Sequence, residues 1–253
     1  MRIITSYAYL AFLALSVTLV GILCLPLMAN KGVAIKIAKL WAQMNLGAAR
    51  WLCGIKSEIR GKEHLAVSPA ILAAKHQSMW ETLRLMAELP AACFVLKKEL
   101  KNIPMFGWWC QAVGFIFIDR EAGAKALRSM LMDASEALEE GASHIIIFPE
   151  GTRAAPGSSA PYQPGVAALA KSLRLPIIPA AHNSGSYWKT PGPEKVPGTI
   201  VMEVFPPLPT DLDRQSITTE LERTIENAVR RLEANTEAHS NPAGGEGRLN
   251  HGH

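Results

Sequence analysis

Ala70-Ile71-Leu72-Ala73-Ala74-Lys75-His76-Gln77-Ser78-Met79-Trp80-Glu81 is an apolar run that stops at a lysine and a histidine and is followed by Ser-x-x-Glu. Ala70 to Ala74 has the length and bulk of a buried strand, and Ser-x-x-Glu is a capping box that starts a helix. The stretch predicts strand, turn, helix. His76 then lies in the turn and Glu81 in the first helical turn, where their side chains can meet; within one continuous helix a five-residue separation would point them apart. A histidine whose tautomer is fixed by a carboxylate can take and return a proton at neutral pH. Glu81 thus has two readings, partner of His76 and cap of the helix.

Outward from this unit the same alternation continues. Strand-like runs occur at Ser57 to Arg60, Cys93 to Leu96, Gly114 to Ile118, His144 to Phe148, Ile177 to Ala181 and Thr199 to Phe205. Helical patterns fill Met79 to Glu88, Met105 to Ala112, Ala122 to Glu140, Pro164 to Leu173 and Ile217 to Ala234. Such alternation predicts one layered α/β domain over residues 56–234, with a mostly parallel sheet flanked by helices. Residues 235–253, rich in glycine and poor in apolar side chains, read as a disordered tail.

The front of the chain is different. Ile3 to Met28 carries no charge, long enough to cross a bilayer core, and lacks a good cleavage site, so residues 1–30 are read as a retained membrane-anchoring helix. Lys31, Lys36, Lys39, Arg50 and Lys56 follow it, which by the positive-inside rule keeps the rest of the chain in the cytoplasm. Residues 31–55 interleave lysines with Trp41, Trp51 and aliphatic side chains at helical spacing, the pattern of an amphipathic helix lying in the interface or packed on the core.

A net charge of +4 on 253 residues, 49% of them apolar, suits an anionic membrane surface or a phosphate-bearing ligand. No basic, aromatic-rich stretch of the nucleic-acid-binding kind occurs, so no nucleic acid partner is expected. Four cysteines without C-x-x-C spacing and the absence of H-E-x-x-H give no metal site.

Two further strand ends carry chemistry. Gly114-Phe115-Ile116-Phe117-Ile118-Asp119-Arg120 delivers an arginine to the sheet edge, either a phosphate ligand or a surface side chain. Ile145-Ile146-Ile147-Phe148-Pro149-Glu150-Gly151-Thr152-Arg153 ends in a glycine that lets a ligand approach the backbone, a carboxylate able to accept from a hydroxyl, and a guanidinium fork suited to phosphate.

H-x4-[DE] at His76, G-F-I-F-I-D-R, F-P-E-G-T-R and the later Leu175-Pro176-Ile177-Ile178-Pro179-Ala180-Ala181 together resemble the four ordered blocks of the glycerolipid acyltransferases, most closely the bacterial 1-acylglycerol-3-phosphate acyltransferases. The resemblance implies a general base at His76 with Glu81 as its partner, and acceptor binding by Arg120, Glu150, Gly151, Thr152 and Arg153. It implies lysophosphatidic acid as acceptor, acyl-CoA or acyl-carrier protein as donor, no cofactor, membrane lipids as surroundings, and a place on the cytoplasmic face of a bacterial inner membrane. Another lyso-acceptor (glycerol 3-phosphate, a lysophospholipid, a lyso-ornithine lipid) or a non-catalytic lipid-binding protein are the alternatives. Glu81 departs from the family's usual Asp; its extra methylene, about 1.5 Å of reach, has to be absorbed by the turn.

Overall fold

The computed structural model describes residues 2–240. Two helices come first, α1 (Arg2–Leu23) and α2 (Lys31–Cys53), joined by a 3-10 turn at Leu25–Ala29. Asn30 caps α2 by accepting from the Val33 N–H at 3.0 Å, and Gly54, at φ +69°, ends it in the left-handed conformation. The α/β domain follows as β1 (Ile55–Arg60), β2 (Ala70–Ala74), α3 (Trp80–Glu88), β3 (Ala92–Lys97), α4 (Phe106–Ala112), β4 (Ile116–Ile118) and α5 (Ala124–Glu139). It continues through β5 (His144–Ile147), α6 (Gly165–Leu173), β6 (Ile177–His182), α7 (Ser184–Tyr187), β7 (Gly198–Val204) and α8 (Arg214–Ser240).

Among the described residues the strands form one sheet in the order β1-β7-β6-β2-β5-β3-β4. Every pairing is parallel except β6 with β7. Parallel strands need crossovers, and here helices cover both faces, which is why β2 and β5 read as unbroken apolar runs. Alternate residues serve opposite cores: Leu72 and Ile146 pack in the layer with α2 and α3, while Ile71 and Ile145 pack in the layer with α5, α6 and α8. The C-terminal ends of β2, β3, β4, β5 and β6 consequently lie along one edge of the sheet, where loop chemistry converges.

α1 is the one described helix long and apolar enough to cross a membrane, yet it does not stand apart from the domain. Ser16 Oγ accepts from Trp41 Nε1 (3.1 Å) on α2, Ser6 Oγ accepts from the Lys195 N–H (2.9 Å), and Tyr9 meets Trp188 edge-on with centroids 5.1 Å apart. Its opposite side exposes Ile4, Leu15, Leu19 and Leu23. α2, expected either in the interface or on the core, packs one side onto the domain, with Ala34, Ala42 and Ala49 buried, and leaves Leu40, Met44 and Trp51 exposed on the other. Small residues on the buried side let α1 and the sheet layer approach closely.

The expected tail needs correction. α8 runs six residues beyond Ala234, to Ser240, because Thr236 still has a partner in the domain, accepting from Asn183 Nδ2 at 2.9 Å. Residues 241–253 lie outside the described residues. Between β6 and β7 the chain makes the single turn of α7.

Candidate active site

His76 and Glu81 meet as the strand-turn-helix spacing demands. His76 Nδ1 lies 2.8 Å from Glu81 Oε1. That same oxygen also accepts from the N–H groups of Gln77 (2.9 Å) and Ser78 (2.8 Å), and Oε2 accepts from the hydroxyls of Ser78 (2.8 Å) and Ser184 (3.1 Å). Ser78 Oγ in turn accepts from the Trp80 N–H at 3.0 Å. The two readings of Glu81 are therefore one arrangement: the carboxylate that closes the capping box is the one that holds the imidazole. Its extra methylene is absorbed because the group curls back over the turn it caps.

Glu81 is fully buried, and burial pushes its pKa up, but the adjacent His182 and His76 rings and the Ser78 N–H outweigh that and bring it down to about 2. An ionised Glu81 accepts a hydrogen bond from the Nδ1–H of His76 and so leaves Nε2 as the free, basic nitrogen. His76 keeps 17% of its side chain exposed, enough for a substrate hydroxyl to reach it.

Behind the histidine lies a buried ionic cluster that the sequence did not announce. Lys75, wholly buried, donates to Glu150 Oε1 (2.7 Å), to Glu226 Oε1 (2.8 Å) and to the Ser158 carbonyl (3.3 Å). Glu150 Oε2 accepts from the His76 N–H at 3.1 Å. Burial raises the Glu150 pKa, with Lys75 pulling the other way. Both oxygens of Glu150 are thus engaged inside the protein and its side chain is fully buried. It anchors the turn that carries His76, and the residue also borders the cavity next to Gly151. His182, also buried, donates from Nε2 to the Lys75 carbonyl (2.8 Å) and accepts from the Ser184 N–H at Nδ1 (3.3 Å), a strut between β6 and the end of β2.

The second and third strand ends open onto a cavity of about 590 Å³ whose wall includes Phe148, Gly151, Thr152, Arg120 and the first turn of α5. Gly151 sits at φ +67°, where a side chain is strained, and a Cβ there would lie 3.7 Å from Arg120 Nη1. The geometry brings Arg120 and the Gly151 backbone to one wall. α5 begins at Gly123 with no side-chain cap, so its first N–H groups add positive partial charge to the same wall. Arg153, the other arginine expected on the phosphate, is exposed, lies outside this lining and carries no protein partner among the described residues. The Ala154 N–H instead turns the chain back, donating to the His76 carbonyl at 2.8 Å.

The His76 ring stacks on Phe148 with centroids 4.0 Å apart, and Phe148 faces Phe94 at 6.4 Å. Phe94 lines a second, wholly apolar cleft of about 100 Å³ between α1, α2, α3 and α4, with Gly21, Ala38, Trp41 and Trp109 around it. Phe148 therefore stands between the base, the polar cavity and a short aromatic path to the apolar cleft. Among the described residues, no group of three His, Cys, Asp or Glu side chains is placed to hold a metal ion.

The acyltransferase family model matches residues 56–183. The 1-acyl-sn-glycerol-3-phosphate acyltransferase of Pseudomonas aeruginosa is 38% identical over 170 residues, 67% of this chain and 66% of that protein. The human 1-acyl-sn-glycerol-3-phosphate acyltransferase alpha is 31% identical over 194 residues, 76% of this chain and 68% of that protein. The chain thus spans about two thirds of the length of these relatives. The crystal structure of the 1-acyl-sn-glycerophosphate acyltransferase PlsC from Thermotoga maritima superposes with a TM-score of 0.75, covering 92% of this chain and 96% of that one. At 17% identity, that likeness is one of fold.

Proposed function

Because this chain belongs to the acyltransferase family, we propose that it transfers a fatty acyl group from an acyl thioester to the sn-2 hydroxyl of 1-acylglycerol 3-phosphate, making phosphatidic acid. The observation that carries this reading is the pairing of a basic imidazole, tied to an ionised carboxylate, with an Arg120-bearing cavity that shares the wall residue Phe148.

The steps follow from the groups present. The acceptor's phosphate lies against Arg120, the Gly151 backbone and the first turn of α5, and its glycerol extends along Phe148 toward His76. Nε2 of His76 takes the sn-2 hydroxyl proton as the oxygen attacks the thioester carbonyl carbon. The tetrahedral intermediate then expels the thiolate of acyl-CoA or acyl-carrier protein, which takes the proton back from the imidazolium. Glu81 stabilises the imidazolium throughout. No acyl-enzyme is required.

We infer that α1 and α2 enter one leaflet together with their exposed apolar faces, since α1 is bound to the rest of the chain through both Ser6 and Ser16. Lipid acceptor and lipid product then reach the site without leaving the membrane. With the lysine-rich segment after α1, this favours the cytoplasmic face of a bacterial inner membrane. The apolar cleft beyond Phe94 is the proposed seat of an acyl chain.

A panel of lyso-acceptors supplied with radiolabelled acyl-CoA tests the substrate directly: lysophosphatidic acid should be the best acceptor, and a preference for glycerol 3-phosphate or a lyso-ornithine lipid would replace the proposal. In the same assay Arg120→Ala should raise the KM for lysophosphatidic acid by roughly 10–100-fold, the worth of a charge-assisted hydrogen bond. Arg153→Ala should change it far less. Equal effects would place the phosphate elsewhere. Ala38→Phe, projecting into the apolar cleft, should shift acyl preference toward shorter chains. Each excluded methylene is worth about 0.8 kcal/mol, so roughly two suffice for tenfold discrimination; an unchanged chain-length profile would remove the cleft from the acyl path.

A further inference from the structure

α8 reaches the active site from behind. Glu226 Oε1 accepts from Lys75 Nζ (2.8 Å) and from the Tyr162 hydroxyl (2.9 Å). Seven residues on, Glu233 accepts from Gln77 Nε2 (2.7 Å) with one oxygen and from the Gly157 N–H (2.9 Å) with the other. Positions 226 and 233 lie on one face of the helix. Lys75 and Gln77 are the residues immediately before and after His76.

Each of these partners passes the constraint on. Lys75 pairs with Glu150, whose second oxygen holds the His76 N–H. Gln77 accepts from the Gly185 N–H at 3.1 Å, next to Ser184, whose hydroxyl is bound to Glu81. Both flanks of the histidine are therefore fastened to one helix, and both routes end on the His76–Glu81 pair.

Docking of the helix does not need these contacts. Ile217, Leu221, Ile225, Ala228 and Val229 already bury an apolar stripe against the α5–α6 layer. A buried lysine with two carboxylates is not a cheap way to gain stability either, since apolar replacements of such clusters are often neutral or stabilising. What the polar contacts do is fix the position of a short, irregular turn.

We propose that α8 is a clamp on the catalytic turn, with Glu226 and Glu233 as positioning residues for acyl transfer, acting through Lys75 and Gln77 on His76. This rests on His76 being the base, and it adds to that reading the residues that aim it.

The test is steady-state kinetics of the full chain in membranes for Glu226→Gln, Glu233→Gln and Gln77→Met, with thermal midpoints and hydrogen exchange of the peptide containing His76. The expected result is a fall in kcat of about 100-fold, the cost of a misplacement near 1 Å, with KM for both substrates within about twofold of the parent's. Exchange should rise in the His76 peptide and stay unchanged in the sheet peptides. A merely structural role would lower the thermal midpoint and leave the kcat of the folded fraction intact, and that outcome overturns the proposal. Should Glu226→Gln fail to fold, Glu233→Gln and Gln77→Met decide, because they break hydrogen bonds and no ion pair. His76→Ala is measured alongside: if it keeps turnover, the base assignment has failed, and if it alone loses turnover, only the clamp has.

Discussion

His76→Ala should lose acyl transfer by about 10²–10⁴-fold, the usual worth of a positioned general base. The loss belongs in kcat, because in the proposed mechanism the ring meets the reacting hydroxyl and not the acceptor's phosphate. Folding should survive: the ring is the partly exposed end of an aromatic row, while Lys75, Gln77 and the His76 backbone keep their own bonds. Thermal midpoint and kinetics measured on the same preparation check both halves. Turnover at the parent rate would assign the base to another residue, and a collapsed midpoint would make the ring a packing element first.

Glu81→Gln should be the second largest effect, a fall in kcat of about 10²–10³-fold with little change in either KM. The substitution is close to isosteric. The amide oxygen can still accept from His76 Nδ1, Gln77 N and Ser78 N, while the NH₂ turns to the Ser78 and Ser184 hydroxyls, which can rotate to accept. What disappears is the negative charge that stabilises the imidazolium. The same variant carries a stability signature. The carboxyl's pKa is lowered from 4.5 to about 2 on folding, so its ionic contribution is fully present above about pH 4.5 and is lost as the pH falls through that interval. Denaturation at a series of pH values should show parent and Glu81→Gln converging toward pH 2. A constant gap would mean the charge is not what stabilises the site.

Much of this architecture was legible in the chain. Strands covered on both faces must be apolar throughout, so β2, β5 and β6 appear as short unbroken runs close to their true limits. Chemistry at the sheet edge was equally visible, because His76, Arg120 and Glu150 each follow such a run. What stayed hidden depends on contacts between distant segments. Glu150 looked like a substrate ligand because nothing local reveals that Lys75 and Glu226 will enclose it. Arg153 looked equivalent to Arg120 until the chain turned back at Ala154. The end of α8 beyond Ala234 looked disordered because it opens on the polar Asn235 and Thr236. Polar side chains at helical spacing carry no hydrophobic signal, although the seven-residue interval between Glu226 and Glu233 was there to be noticed.

The bond between Ser6 and Lys195 joins residues 189 positions apart. During synthesis α1 is exposed long before its partners in the 188–195 segment have left the ribosome, and so long a separation makes that contact late to form. With the membrane placement proposed above, the bilayer hydrocarbon receives its apolar side chains in that interval. On that proposal lipid insertion precedes docking, and the enzyme assembles from the membrane outward: the catalytic domain closes onto a helix already held at the place where lipid substrates dissolve.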